Sequence, residues 1–409
     1  MAKKSLVKEF GTGKSSLFDL VGSIDKSAEI LSGSHHVIKE YISTGNYIVN
    51  AAMTGSLFKG VPSGRVVTLA GEEGTGKSFL AVSICKNAQK MGYTPVYLDS
   101  ENSVDVDFVE RLGCDSENFI IRPTQTISDM STFVANLTQK ELALPPEERH
   151  KILLVIDSVG NLTSDKEKTD IIEGNQKRDM TKQQELKAFF RTAAVPLGQL
   201  QIPCIVISHV YQTMDLYASK KVSGGSGIAY NASLTFMLSI SKLDDKESDK
   251  IALDRKGDVT KTGVVVTATT KKSRFTIPHI VKFQIPFFKS PNPYVGLEEY
   301  ITWENSGILR GKLLTKKDYD KLSESDKAAC YETTDEQGNV AYAFEKDTAR
   351  TIVVEHLHKE LPLNALFTKE VFSDEVLHRL DDAVIKPLFE LPKQDSDADI
   401  AELVGDTEE

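Results

Sequence analysis

The stretch Arg65–Gly92 reads RVVTLA-GEEGTGKS-FLAVSICKNAQKMG. Arg65–Ala70 is a β-rich run that ends on Gly71, and Leu80, Ile84 and Ala88 recur at helical spacing after the loop. A strand, a G-x-x-x-x-G-K-[ST] loop and a helix in that order form a phosphate-binding loop. Small residues let backbone N–H groups converge on phosphate oxygens at a helix N-terminus, where the dipole favours anions. Gly71, Glu73, Gly74, Thr75, Gly76, Lys77, Ser78 and Phe79 are therefore the candidate nucleotide-binding residues. Lys77 reaches the β- and γ-phosphates of a triphosphate, and the Ser78 hydroxyl ligates Mg²⁺. The pentapeptide GTGKS also occurs at Gly11–Ser15, but there Lys8 stands where the first glycine belongs, and the charged MAKKSLVKEF before it is a poor buried strand. The second copy is the functional one.

Three more apolar runs extend the pattern. Thr94–Asp99 (TPVYLD) reads as a parallel strand followed by Ser100 and Glu101. In such sheets ligands lie outside the carboxyl ends of the strands, so Glu101 is placed to orient and deprotonate an attacking water. Its plainer role is a solvated loop acid. Lys151–Ser158 (KILLVIDS) closes on Asp157, which would hold magnesium through water opposite Ser78. Pro203–Ile207 (PCIVI) leads to Ser208 and His209, either a γ-phosphate sensor or a packed core histidine. Alternating strands and helices from Arg65 to Val210 predict an α/β fold with a mostly parallel twisted sheet.

The set GEEGTGKS, YLDSENSVDVDF, ILLVIDSVGNL, IPCIVISHVYQT and SGGSG, in this order, resembles the RecA-type recombinases, and within them the phage UvsX-like branch. The resemblance runs from about Glu40 to Ser306. It implies a RecA-type P-loop ATPase core with Glu101 as the catalytic glutamate and His209 as the switch residue. The family usually has glutamine at that switch, and the phage branch histidine. It also implies that Asp105 and Phe108 bracket the adenine, although core packing is the plainer role for Phe108.

Two segments after the nucleotide strands read as mobile loops. Thr163–Thr181 is polar and long, and Thr213–Gly227 (TMDLYASKKVSGGSG) carries small residues with a tyrosine and two lysines. Cations with an interleaved ring suit single-stranded nucleic acid, while a solvated loop is the plain alternative. By the resemblance these are the two DNA-binding loops, with Lys177, Arg178, Tyr217, Lys220, Lys221, Gly224 and Gly225 as candidates. Gly263–Thr269 and Val281–Pro286 read as paired strands around Thr270–His279. There, the resemblance implies that Lys272 and Arg274 reach the γ-phosphate of ATP held by the neighbouring subunit, as an arginine finger does.

The 409 residues carry 40% hydrophobic and 26% charged residues, ordinary for a globular protein of more than one domain. The net charge is −10, but Gln394–Glu409 holds seven acids and no base, leaving −3 for the body, so a local basic strip remains possible. Thr192–Met214 is long enough to raise a membrane span, but its prolines and polar residues read as a helix end and a buried strand. The start has no apolar signal region, and Cys85, Cys114, Cys204 and Cys330 are scattered without a CxxC pair. Both features point to a reducing cytoplasm, that of a bacterial host for a phage protein. Leu17, Val21, Ile24, Ala28 and Leu31 form one helical apolar stripe after a cap at Ser16. It either packs on its own core or, as the family's N-terminus does, docks on an adjacent protomer.

The expected organisation is a protomer-docking segment over 1–45, an ATPase core over 46–290, a small α+β domain over 291–393 and an acidic tail over 394–409. Two helical patterns, Asp347–Lys359 and Ser373–Leu391, mark the third region. The resemblance implies a DNA-dependent ATPase with ATP and Mg²⁺, forming helical filaments on single-stranded DNA. It would pair them with double-stranded DNA in recombination, repair and recombination-dependent replication, alongside loader, mediator and single-strand-binding proteins. A ring helicase of the same core and a DNA-independent scaffold ATPase remain alternatives. Directional unwinding without strand exchange marks the first, and hydrolysis indifferent to added single strands marks the second.

Overall fold

A computed structural model describes residues 17–25, 31, 36–174, 181–212, 220–222, 231–240, 263–286 and 290–391. Its strands are β1 (Tyr41–Ile42), β2 (Val61–Pro62), β3 (Val66–Gly71), β4 (Thr94–Asp99), β5 (Ile120–Pro123), β6 (Ile152–Asp157), β7 (Cys204–Gln212), β8 (Lys220–Val222), β9 (Leu234–Ile240), β10 (Gly263–Ser273) and β11 (Ile280–Pro286). The helices between them are α1 (Leu17–Ile24), α2 (Tyr47–Thr54), α3 (Lys77–Lys90), α4 (Val106–Arg111), α5 (Ile127–Ala143), α6 (Asp165–Ile172) and α7 (Thr181–Gln199).

Nine strands make one sheet in the order β11-β10-β9-β3-β7-β6-β4-β5, with β8 attached to β7. The six strands from β9 to β5 pair in parallel. At the far edge β10 pairs antiparallel with both β9 and β11. Parallel strands covered on both faces need apolar residues in both alternating sets, which is why β3, β6 and β7 read as continuous runs. One set, Val67, Leu69, Leu153, Val155, Ile205 and Ile207, packs with Leu80 and Ile84 of α3. The other, Val66, Leu98, Leu154, Ile156, Cys204 and Val206, packs under Val134 of α5 and Phe190 of α7. Truncating a wholly buried ring such as Phe190 to alanine costs about 3–5 kcal/mol.

A second, all-antiparallel sheet follows: β12 (Ile308–Thr315), β13 (Cys330–Thr334), β14 (Val340–Glu345), β15 (Thr351–Val354) and β16 (Lys359–Pro362), in the order β13-β14-β12-β15-β16. Here the helix expected over Asp347–Lys359 is corrected. Ile352, Val353 and Val354 are β-branched and buried, and they pair with β12 and β16. The second pattern is helical as expected: Ser373 caps a helix over Asp374–Leu380, and another follows over Lys386–Phe389. Buried Asp381 ties this segment to the first sheet's layer, accepting from Ser56 Oγ at 2.8 Å and Leu57 N at 2.7 Å.

Two further expectations meet the structure. Part of the supposed loop Thr163–Thr181 is the helix α6, started by Ser164 Oγ accepting from Glu167 N. On α1, Leu17, Leu20, Val21 and Ile24 are exposed, Leu17 by 71% and Ile24 by 77%, so these described members of the stripe are not covered by the described core. The first GTGKS copy, Ser16 and Ala28 lie outside the described residues. Cys85, Cys114 and Cys204 are buried free thiols and Cys330 is half-buried. Among the described residues no helix is long and apolar enough to cross a membrane.

Candidate functional site at the carboxyl edge of the parallel strands

The loop between β3 and α3 is shaped by close approach. A Cβ on Gly71 would stand 2.6 Å from the Leu238 carbonyl oxygen of β9. Gly76 has φ +81, and a Cβ there would stand 2.2 Å from Ile285 Cδ1 of β11, so only glycine fits. Thr75 Oγ1 donates to the Glu72 carbonyl at 2.8 Å and closes the loop. Lys77 is buried, and its ammonium donates to the carbonyls of Gly71 at 3.1 Å and Glu72 at 2.7 Å. Burial pulls its pKa down, while the charges of Glu101, Asp157 and Glu73 push the other way.

Asp157, at the end of β6, is wholly buried. Its Oδ2 accepts from the Tyr97 hydroxyl at 2.5 Å, and the Ser78 side chain hydrogen-bonds to the same carboxylate. Oδ1 has no hydrogen-bond partner among the described residues. Burial raises the Asp157 pKa against those two hydrogen bonds, with Glu101 and Asp99 adding to the rise. The peptide bond to Ser158 is cis.

Strand register brings the remaining groups together. Asp99 pairs with Asp157 across β4 and β6, and His209 pairs with Gly71 across β7 and β3. Glu101 Oε1 accepts from Ser158 Oγ at 2.6 Å and lies 2.6 Å from His209 Nε2. Burial opposes ionisation of Glu101, but the hydrogen bonds from Ser158 and His209 and the nearby Lys77 hold its pKa below the usual value. Asp99 shapes the turn that carries it: Oδ1 accepts from Glu101 N at 2.9 Å and Asn102 N at 2.8 Å, and Oδ2 from Ser103 N at 3.1 Å. Asn102 sits at φ 55, a conformation asparagine tolerates. Lys77, Ser78, Glu101, Asp157 and His209 thus form one constellation. Tyr97, Asp99 and Ser158 belong to it too, and sequence reasoning misses them, because cross-strand register rather than local spacing places them.

Asp105 and Phe108 take local roles as well. Asp105 caps α4 by accepting from Phe108 N at 2.7 Å, and the half-buried Phe108 ring packs against the α3-side core. Lys220 and Lys221 lie in β8, paired with Gln212 and Tyr211 at the end of β7, three residues or fewer beyond His209. Lys177, Arg178, Tyr217, Gly224 and Gly225 lie outside the described residues.

Lys272 and Arg274 are set apart. Lys272 pairs with Thr235 and Ser273 with Leu234 of β9, and Leu234 pairs with Val67 near the start of β3. Gly71 instead pairs with Leu238, four residues further along β9, which is roughly 13 Å at strand spacing. The two cations therefore occupy the sheet edge opposite their own phosphate loop. Burial and the charge of Arg274 both lower the Lys272 pKa.

Residues 20–279 match the family model described as the RecA N-terminal domain. The chain belongs to the RecA family. Its α/β core is RecA-type, in keeping with the resemblance carried by the motifs. It is 27% identical over 274 residues to the "Recombination and repair protein" of Enterobacteria phage T4, a match covering 66% of each chain. It is 31% identical over 163 residues to "Protein RecA" of Helicobacter hepaticus, covering 40% of each chain. A third RecA-family relative, "Protein RecA" of Nautilia profundicola, is 30% identical over 175 residues, 43% of this chain and 42% of that one.

Proposed function

We propose that the chain is a DNA-dependent ATPase of the recombinase class, which assembles on single-stranded DNA with ATP and promotes pairing and strand exchange with double-stranded DNA. In this reading the loop from Gly71 to Ser78 holds the triphosphate, with Glu73, Gly74, Thr75, Gly76 and Phe79 in its wall and Asp105 and Phe108 beside the base. Phosphate oxygens take over the Lys77 ammonium from the two loop carbonyls. The hard oxygens of Ser78 and Asp157 fit Mg²⁺, and the unpartnered Asp157 Oδ1 supports that fit. Bound there, the metal neutralises charge on the phosphates. Glu101, kept ionised by its hydrogen bonds, accepts the proton of the attacking water.

The observation that carries the reading is the opposite-edge position of Lys272 and Arg274. Across an interface between two copies, this pair meets the loop that its own chain cannot reach. The exposed stripe on α1 supplies a second docking surface between copies, over residues 1–45. In this reading residues 46–290 form the core, 291–393 a small C-terminal α+β domain and 394–409 an acidic tail. The name of the T4 relative supports the recombination role; mediator and single-strand-binding proteins would act beside it. The test is imaging of the purified chain with single-stranded DNA and a non-hydrolysable ATP analogue, joined to ATPase and strand-exchange assays. Filaments, DNA-stimulated hydrolysis and exchange are expected. Isolated molecules with DNA-indifferent hydrolysis would overturn the proposal.

A further inference from the structure

The tyrosine at position 97 has a hydroxyl that the fold does not need. Its ring lies on β4 on the α3 side of the sheet, wholly buried and tilted against Phe119 at 5.8 Å between centroids. Phenylalanine would fill the same space. A buried hydroxyl is costly unless bonded, and this one is spent on Asp157 Oδ2 at 2.5 Å. The pairing follows from register. Tyr97 is opposite Val155 and Asp99 opposite Asp157, so Tyr97 and Asp157 share a sheet face two residues apart along the strands. The ring bridges that step lengthwise. Asp157 then has Oδ2 held by the Tyr97 hydroxyl, with the Ser78 side chain also bonded to the carboxylate, and Oδ1 buried without a partner among the described residues.

We propose that Tyr97 is a positioning residue for the metal-holding carboxylate: its hydroxyl locks the rotation of Asp157 and keeps Oδ1 as the acceptor for the divalent cation held with Ser78. The inference rests on the nucleotide–metal reading above. Without the lock, only the Ser78 contact restrains the carboxylate, and its bare oxygen can turn away from the cation site. A merely structural tyrosine would affect melting but not metal demand.

Tyr97→Phe tests this in the full-length chain. Two quantities are read by binding of a fluorescent ADP analogue: affinity in EDTA, and the Mg²⁺ concentration that gives half of the metal-dependent tightening. The EDTA affinity should stay within about twofold, while the Mg²⁺ requirement rises about tenfold, the scale of one hydrogen bond to a charged group. In an Asp157→Asn background the same substitution should shift the requirement by less than about twofold, because interacting sites are not additive. An unchanged requirement in Tyr97→Phe, or an undiminished tenfold effect in the Asp157→Asn background, overturns the proposal. Should Tyr97→Phe fail to fold, para-aminophenylalanine at position 97 restores a donor; a Mg²⁺ requirement near that of the unsubstituted chain supports the role, and one raised about tenfold overturns it. An unsubstituted chain that binds no nucleotide in either condition sinks the functional reading itself, and this inference with it.

Discussion

His209 Nε2 lies 2.6 Å from Glu101 Oε1, so a residue within β7 holds the carboxylate that follows β4. The same strand runs on within three residues to the pairing of Tyr211 and Gln212 with Lys221 and Lys220. One strand therefore links the acid proposed to act on water to the proposed DNA loop. His209→Ala should leave nucleotide binding intact but remove most of the stimulation of hydrolysis by single-stranded DNA, measured as the ratio of rates with and without DNA. A ratio equal to that of the unsubstituted protein would break the link.

Glu101→Gln keeps the size of the side chain and removes its basicity. Turnover should fall by at least about 100-fold, while ATP binding and ATP-dependent assembly persist. Steady-state hydrolysis and sedimentation with single-stranded DNA measure the two separately. Normal turnover would take Glu101 out of the water-activating role.

Among the described residues, the second GTGKS copy stands between a strand and a helix, β3 and α3, as phosphate binding requires; the first copy lies outside them. Lys77→Ala should abolish ATP-dependent assembly, whereas Lys14→Ala should leave hydrolysis unchanged. Equal losses in a side-by-side ATPase assay would mean that the wrong copy holds the phosphate here.

The separation of Lys272 and Arg274 from their own loop gives a complementation test. A chain carrying both Lys272→Ala and Arg274→Ala, and a chain carrying Lys77→Ala, should each be inactive alone. Mixed, they form some interfaces in which an intact loop meets intact cations, so part of the hydrolysis should return. A mixture as inactive as its components argues that the cations act elsewhere.

Thiol chemistry reports on the core. Burial pushes Cys114 up to about 11 and Cys204 up to about 12, and it pushes Cys85 up as well. Cys330 is half-buried on β13. Alkylation of the native protein at pH 8, followed by peptide mass mapping, should mark Cys330 first, and all four only after denaturation. Early labelling of Cys204 would contradict the buried sheet.

Much of this architecture is legible in the order of residues alone. Strand, loop and helix from Arg65 to Lys90 stand out because buried parallel strands leave unbroken apolar runs. The positions of Glu101, Asp157 and His209 follow from the ends of such runs. Asp99 and Ser158 are polar residues beside those ends, and nothing in local spacing says that one clasps the Glu101 turn and the other donates to it. Asp347–Lys359 misleads because its apolar residues fit helical spacing, yet neighbours distant in sequence, β12 and β16, claim Ile352 to Val354 as a strand. Tertiary pairing overrides periodicity there.

The cations and the phosphate loop on opposite edges of one sheet give any stack of these copies a direction. One terminus would present a loop that no neighbour completes, and the other a pair of cations with nothing to complete. Fuel consumption would then fail at a single end only, so that the growing and shrinking tips of the stack are chemically distinguishable.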